Sequence, residues 1–178
     1  MDNARAKLAQ LMADGEGFSG FKWPEHEQDF DMRIARDGRW YYQGGEIQRQ
    51  ALVKLFATIL QRDENGDYWL ATPAEKGRVE VEDAPFTIIS MRLENPGKDQ
   101  VLFMTTNLGY EISVGEGHDV FLIKDAETGE PAPYIHIRDN LNALISRSVF
   151  YELAEFAIEA DNGGDLGIWS SGRFYQLD

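Results

Sequence analysis

From residue 78 to residue 137 the chain is a succession of short β-branched and aromatic segments cut apart by turn chemistry, which restricts it to a fold built on sheet. "RVEV", "FTIISMRLE", "QVLFMTT", "YEISV", "HDVFLIK" and "PYIHI" follow one another, separated by stretches such as Asn95-Pro96-Gly97, Gly115-Glu116-Gly117 and Thr128-Gly129. Branched and aromatic side chains suit a pleated, half-buried surface, while Asn, Pro and Gly supply the turn dihedrals. The order predicts an antiparallel meander. A helix over about residues 144–160 closes it, with Val149, Leu153, Phe156, Ala157 and Ala160 facing inward. Two short strands, "GIWSS" and "RFYQL", end the chain.

Upstream the pattern is mixed. Residues 4–14 carry Ala6, Leu8, Leu11 and Met12 at helical spacing, and the aperiodic "GEGFSGFKWPEHEQDFD" reads as an extended arm anchored by Phe18, Phe21 and Trp23. "MRIARDGRWYYQG" predicts a hairpin around Asp37-Gly38, the pair preferred where both turn residues need positive φ. A helix follows, with Leu52, Leu55, Phe56, Ile59 and Leu60 inward and Gln50, Lys54 and Gln61 outward. The acidic turn "RDENGD" ends it, and "YWLAT" starts a strand.

Two segments rhyme. "LFATILQRDENGDYWL" and "EFAIEADNGGDLGIW" each run helix, acidic glycine turn, then a strand carrying tryptophan, Trp69 in one and Trp169 in the other. The fold class is therefore read as α+β, with two related halves if the rhyme reflects duplication. Residues 1–30 form a helix and arm, 31–84 the first half and 85–178 the second, and a groove between halves is the natural place for a ligand.

The absence of cysteine removes disulfides, thiolate nucleophiles and Cys-ligated metals. The run "ALVKLFATIL" is about half the length of a membrane span, and the N-terminus lacks the apolar core of a secretory signal, so the cytoplasm is the default expectation. With 31 acidic against 17 basic residues, a net charge of -14 repels polyanions, so neither nucleic acid polymers nor anionic membranes are expected partners.

"GEGFSG" fits G-x-G-x-x-G but follows a helical segment and soon meets Pro24, the wrong context for a dinucleotide loop. "DENGDYWLATPA" starts like a calcium loop, yet Tyr68 and Ala74 stand where glycine and a bidentate glutamate are required. His26, His118 and His136 make no metal-ligand spacing, and the chain has neither a Walker loop nor a G-x-S-x-G elbow. The sequence implies no particular cofactor.

Two stretches stand out because cations are scarce. In "TPAEKGRVEVEDAPF" the Glu75-Lys76-Gly77-Arg78 step reads as a tight turn whose cations face a common point, able to hold an anion or simply to pair with neighbouring glutamates. In "PYIHIRDNLNALI" strand alternation puts Tyr134, His136 and Arg138 on one face, suited to stacking on a ring and to gripping a phosphate or carboxylate, or to a plain solvent-facing edge. Trp69 adds a further stacking surface.

"DGRWYYQGGEIQRQALVKLFATIL", "YWLATPAEKGRVEVEDAPF" and "YIHIRDNLNALISRSVFYELA" together resemble an uncharacterised bacterial family, the domain of unknown function numbered 1285, over about residues 20–178. The resemblance implies a duplicated α+β core with a C-terminal half like a pleckstrin homology domain, a nucleotide-type ligand at the interface and a role in signalling. The expectation is a non-enzymatic cytoplasmic sensor or adaptor. Lys76 and Arg78 would hold the anion, Arg138 would assist, and Tyr134, His136 or Trp69 would stack on the ligand. The alternatives are a protein interaction module docking a signalling partner, or an acid-base enzyme using Asp83 or Glu82 beside His136.

Overall fold

The hairpin at Asp37-Gly38 opens the first of two sheets built on one plan. The computed structural model describes residues 24–72, 75–97, 99–124, 129–160 and 163–178; the helix read over 4–14 and the anchors Phe18, Phe21 and Trp23 lie outside the described residues. Strands β1 (Glu27–Ile34), β2 (Trp40–Tyr42) and β3 (Gly45–Glu46) form an antiparallel meander. Helix α1 (Gln50–Ile59) follows, then a second meander of β4 (Leu60–Arg62), β5 (Tyr68–Ala71) and β6 (Lys76–Val81). Parallel pairing of β1 with β6 joins them in the order β3-β2-β1-β6-β5-β4.

The second sheet repeats the device. Strands β7 (Phe86–Glu94), β8 (Val101–Thr106) and β9 (Glu111–Ser113) make one meander, and β10 (Val120–Lys124), β11 (Pro131–Arg138) and β12 (Leu141–Ile145) the other. Parallel β12 and β7 join them in the order β10-β11-β12-β7-β8-β9. Helix α2 (Arg147–Glu155) leads to a three-stranded sheet, β13 (Ile158–Glu159), β14 (Leu166–Ser170) and β15 (Arg173–Gln176). The protein is a mostly β, α+β fold with duplicated sheets. The rhyme is structural too, since α1 with β4 to β6 and α2 with β13 to β15 are both a helix followed by a three-stranded meander.

Several local expectations change. The second sheet is two meanders joined by a parallel pair, because "LNALI" is strand β12 with Leu141, Ala143 and Ile145 buried on alternate positions. Helix α2 is correspondingly shorter than 144–160: Val149 and Leu153 are buried, whereas Phe156 is exposed at its C-terminus. Helix α1 turns Val53 and Ala57 inward and leaves Leu55 outside, while Gln61, already in β4, is buried. The first hairpin closes through Ala35 and Arg39 with only Gly38 at positive φ (81°), giving a three-residue turn. The arm gives way to strand at Glu27.

Lys76, Gly77 and Arg78 are strand residues and not a turn, and hydrogen bonds between Thr72 and Glu75 precede them. Gly77 answers a packing demand. Strand β1 bulges between Asp29 and Met32, with Asp31 at φ 47°, and a Cβ on Gly77 would meet the Phe30 ring at 1.9 Å.

One apolar core runs through both sheets, from Ile34, Trp40 and Leu60 to Ile88, Ile135 and Leu141, each such side chain contributing about 1.5–3 kcal/mol on full burial. Asn107 ties the halves at one point: its Nδ2 donates to Gly38 O (3.0 Å) and its Oδ1 accepts from Thr87 N (3.1 Å). Among the described residues no helix is long and apolar enough to cross a membrane.

Candidate functional site

Strand register gathers the first set of expected residues. Trp69 pairs with Arg78 and Ala71 with Lys76, so the tryptophan and both cations share a sheet face. Lys76 Nζ lies 4.3 Å from the indole centroid and Arg78 Cζ 5.7 Å from it. The cations meet over one ring, but acids stand beside them: Glu27 Oε2 is 3.6 Å from Lys76 Nζ, and Asp67 pairs with Arg78. Arg78 also lines a recess of about 650 Å³ along the first sheet. That recess carries Asp29, Asp31, Asp67 and Glu80 against Arg33 and Arg78, and both arginines are already paired, with Glu82 and Asp67.

The second set is split. A β-bulge between His136 and Arg138 pairs His136 with Asn142 but Arg138 with Leu141. Neighbouring residues of a strand face opposite sides, so the bulge sends Arg138 away from the His136 face, and plain alternation does not hold. Arg138 Nη2 donates to Ala57 O (2.8 Å) and Leu60 O (3.2 Å), the carbonyls at the end of α1. Its Nη1 reaches Asp139 Oδ2 at 3.1 Å. This cation is occupied in joining the halves. Tyr134 donates to Asp83 Oδ1 (2.7 Å) and stacks on Phe121. Asp83 also pairs with Arg36, and Glu82 with Arg33, so neither acid is set against His136 as the acid-base reading required. The His136 ring nitrogens contact Gly117 O and Asp139 O, each at 2.6 Å.

His136 does line a recess at the seam. It measures about 470 Å³ and lies between the β4–β5 turn of the first half and the β11–β12 turn of the second. Asp63 organises the first wall: its Oδ1 accepts from Asn65 N and Asp67 N, each at 2.9 Å, and its Oδ2 from Trp69 Nε1 at 2.9 Å. Burial pushes the Asp63 carboxyl up, but the Trp69 indole and the surrounding backbone N–H groups outweigh it and hold the pKa below the ordinary value. Arg62 lies over the Tyr68 ring, 5.2 Å from its centroid, with Nε donating to Gly66 O at 3.2 Å. Among the described residues no carboxylate comes within ion-pair distance of this half-buried guanidinium. Asn65, Asn140 and Asn142 also line the recess, with carboxamides that have no protein partner among the described residues.

Arg62, Asn65, Asn140 and Asn142 were missed by reasoning from the sequence, which read "RDENGD" only as the acidic turn that ends a helix and drew no residue beyond Arg138 from "PYIHIRDNLNALI". A signal existed: an Arg-Asp step stands in both, at Arg62-Asp63 and at Arg138-Asp139, each with asparagine close behind. Among the described residues no three His, Asp or Glu gather to hold a metal ion.

Fold and site together define a duplicated α+β protein with a polar recess at the seam of its halves. The chain belongs to the DUF1285 family: the model of its N-terminal domain of unknown function matches residues 21–84 and that of its C-terminal domain residues 85–177. A DUF1285 family protein from Silicibacter pomeroyi DSS-3 is similar at 42% identity and TM-score 0.79, over 94% of this chain and 93% of that one. Another, from Shewanella baltica OS155, is similar at 28% identity and TM-score 0.55, over 70% of this chain and 91% of that one. No curated protein matches.

Proposed function

We propose that this protein is a non-enzymatic, cytoplasmic sensor of a small, polar, nucleotide-like ligand with an anionic group, bound in the seam recess and read out in signal transduction. The supporting observation is Arg62. In a chain with 31 acidic and 17 basic residues, a half-buried guanidinium lacking a carboxylate among the described residues is a fork awaiting an anion. Taking such a charge out of water is costly unless it is paired, and the planar fork matches phosphate or carboxylate bidentately. Asn65, Asn140 and Asn142 supply the donors and acceptors that a base edge or ribose uses. On this reading the second sheet with α2 is the pleckstrin-homology-like half, and it contributes His136 and two of the asparagines.

Thermal unfolding against a nucleotide panel tests the proposal. A ligand at 100 times its dissociation constant stabilises the folded state by about 2.7 kcal/mol. Arg62→Ala is expected to remove that shift, measured from the variant's own ligand-free midpoint. A panel without any shift, or a shift that Arg62→Ala retains, overturns the assignment.

A further inference from the structure

The seam recess has a charge balance of its own, and that balance selects among anions. Arg62 offers one positive charge with no ion-pair partner among the described residues. Asp63 and Glu64 line the same recess from the same turn, and Asp139 lines it from across the seam. The Asp139 carboxylate is countered by Arg138, whose other nitrogen is committed to the α1 carbonyls. Asp63 is surrounded by N–H donors, which favour its ionised form. One anionic group on Arg62 is matched. A second negative charge shares the same single arginine, and with Asp63 and Glu64 on the same recess the sum of the three lining charges repels it.

We infer that the recess selects a ligand bearing a single negative charge on a neutral polar body, such as a phosphodiester or a monocarboxylate, over phosphomonoesters and polyphosphates. The inference rests on the seam recess being the ligand site and adds the ligand's charge class. A unit charge about 6 Å from a like charge in water-like surroundings loses a factor of about three in affinity. Each added charge therefore works against binding, within a molecule whose net charge of -14 repels anions already.

Isothermal titration at fixed ionic strength, using adenine and guanine series in parallel, tests this. Each series keeps the base and runs from the neutral nucleoside through the cyclic monophosphate to the 5′-monophosphate and triphosphate, with and without Mg²⁺. The cyclic monophosphate is expected to bind tightest, about threefold better than the monophosphate and further ahead of the triphosphate. Glu64→Gln should narrow the first gap about threefold, and Arg62→Gln should bring the cyclic monophosphate down to the level of the nucleoside or below it. Affinity that rises with charge, or a monophosphate ratio unmoved by Glu64→Gln, overturns the charge selection while leaving the seam site standing. Tight binding of the triphosphate only with Mg²⁺ overturns it too, in favour of a metal bridge to the carboxylates. Binding that ignores Arg62→Gln, or none in either series, overturns the seam site itself together with the selection.

Discussion

The two Arg-Asp steps that flank the seam are alike in sequence and opposite in use. In the first half the aspartate is consumed: Asp63 fixes its turn and holds the Trp69 indole, leaving Arg62 over Tyr68 with its fork facing the recess. In the second half the arginine is consumed: the bulge in β11 swings Arg138 under the sheet to the end of α1. The cause lies outside either dipeptide. The last carbonyls of a helix need donors, and α1 has no basic residue in its own last turn. An arginine from the other half fills that need. What a cation does is decided by which backbone groups its neighbours leave unsatisfied.

The comparison breaks most visibly on stability. Arg138→Ala removes two charge-assisted hydrogen bonds to the end of α1, and a bond to a charged group contributes about 1.5–3 kcal/mol. Allowing for the side chain's partial exposure, the loss in unfolding free energy is expected at about 2–3 kcal/mol by urea denaturation. Arg62→Ala removes one bond within its own turn, to Gly66 O, and the contact with the Tyr68 ring, and should cost about 1 kcal/mol. Equal losses from the two variants would show that Arg62 is structural as well, and the contrast would fail.

The aspartates sharpen the comparison at a smaller scale and through pH. Asp63→Asn weakens three acceptor contacts and should cost about 1 kcal/mol at pH 7, whereas Asp139→Asn, which loses an exposed pair with Arg138, should cost less. The folded pKa of Asp63 is depressed from 3.8, so its contribution is complete above that value and is lost as pH falls through the folded pKa. The gap between wild type and Asp63→Asn is therefore expected to hold steady from neutral pH down to the ordinary carboxylate range and to close below it. A gap that persists unchanged into strong acid would mean that the charge on Asp63 does not organise the turn.

The strands from β7 to β11 were legible because their signals are local. Alternating Val, Ile and Phe and the intervening Asn, Pro and Gly act over a few residues. The parallel pairs β1 with β6 and β7 with β12 were not legible, since they join segments some fifty residues apart and are set by how the sheet is assembled. "LNALI" was ambiguous in principle, because Leu, Ala and Ile suit a helix as well as a buried strand. The site divides in the same way. Trp69, Lys76 and Arg78 come together through one antiparallel register that a strand reading can supply. The capture of Arg138 by α1 depends on a bulge and on another half's helix end, and the isolation of Arg62 is a property of everything that does not approach it.

The smallest expected effect concerns the pair that first drew notice. Lys76 and Arg78 sit over Trp69, with Glu27 and Asp67 beside them, in an arrangement that is partly solvated and of little energetic weight. Lys76→Ala with Arg78→Ala should shift the urea midpoint less than either aspartate variant, and the difference should shrink further in salt as screening removes the ion pairs. The response to a ligand that depends on Arg62 should be unaltered, because neither cation lines the seam recess. If the double variant abolished that response while Arg62→Ala kept it, the roles would be exchanged: the anion would sit over Trp69 by displacing Glu27 and Asp67, and Arg62 would be an ordinary surface arginine.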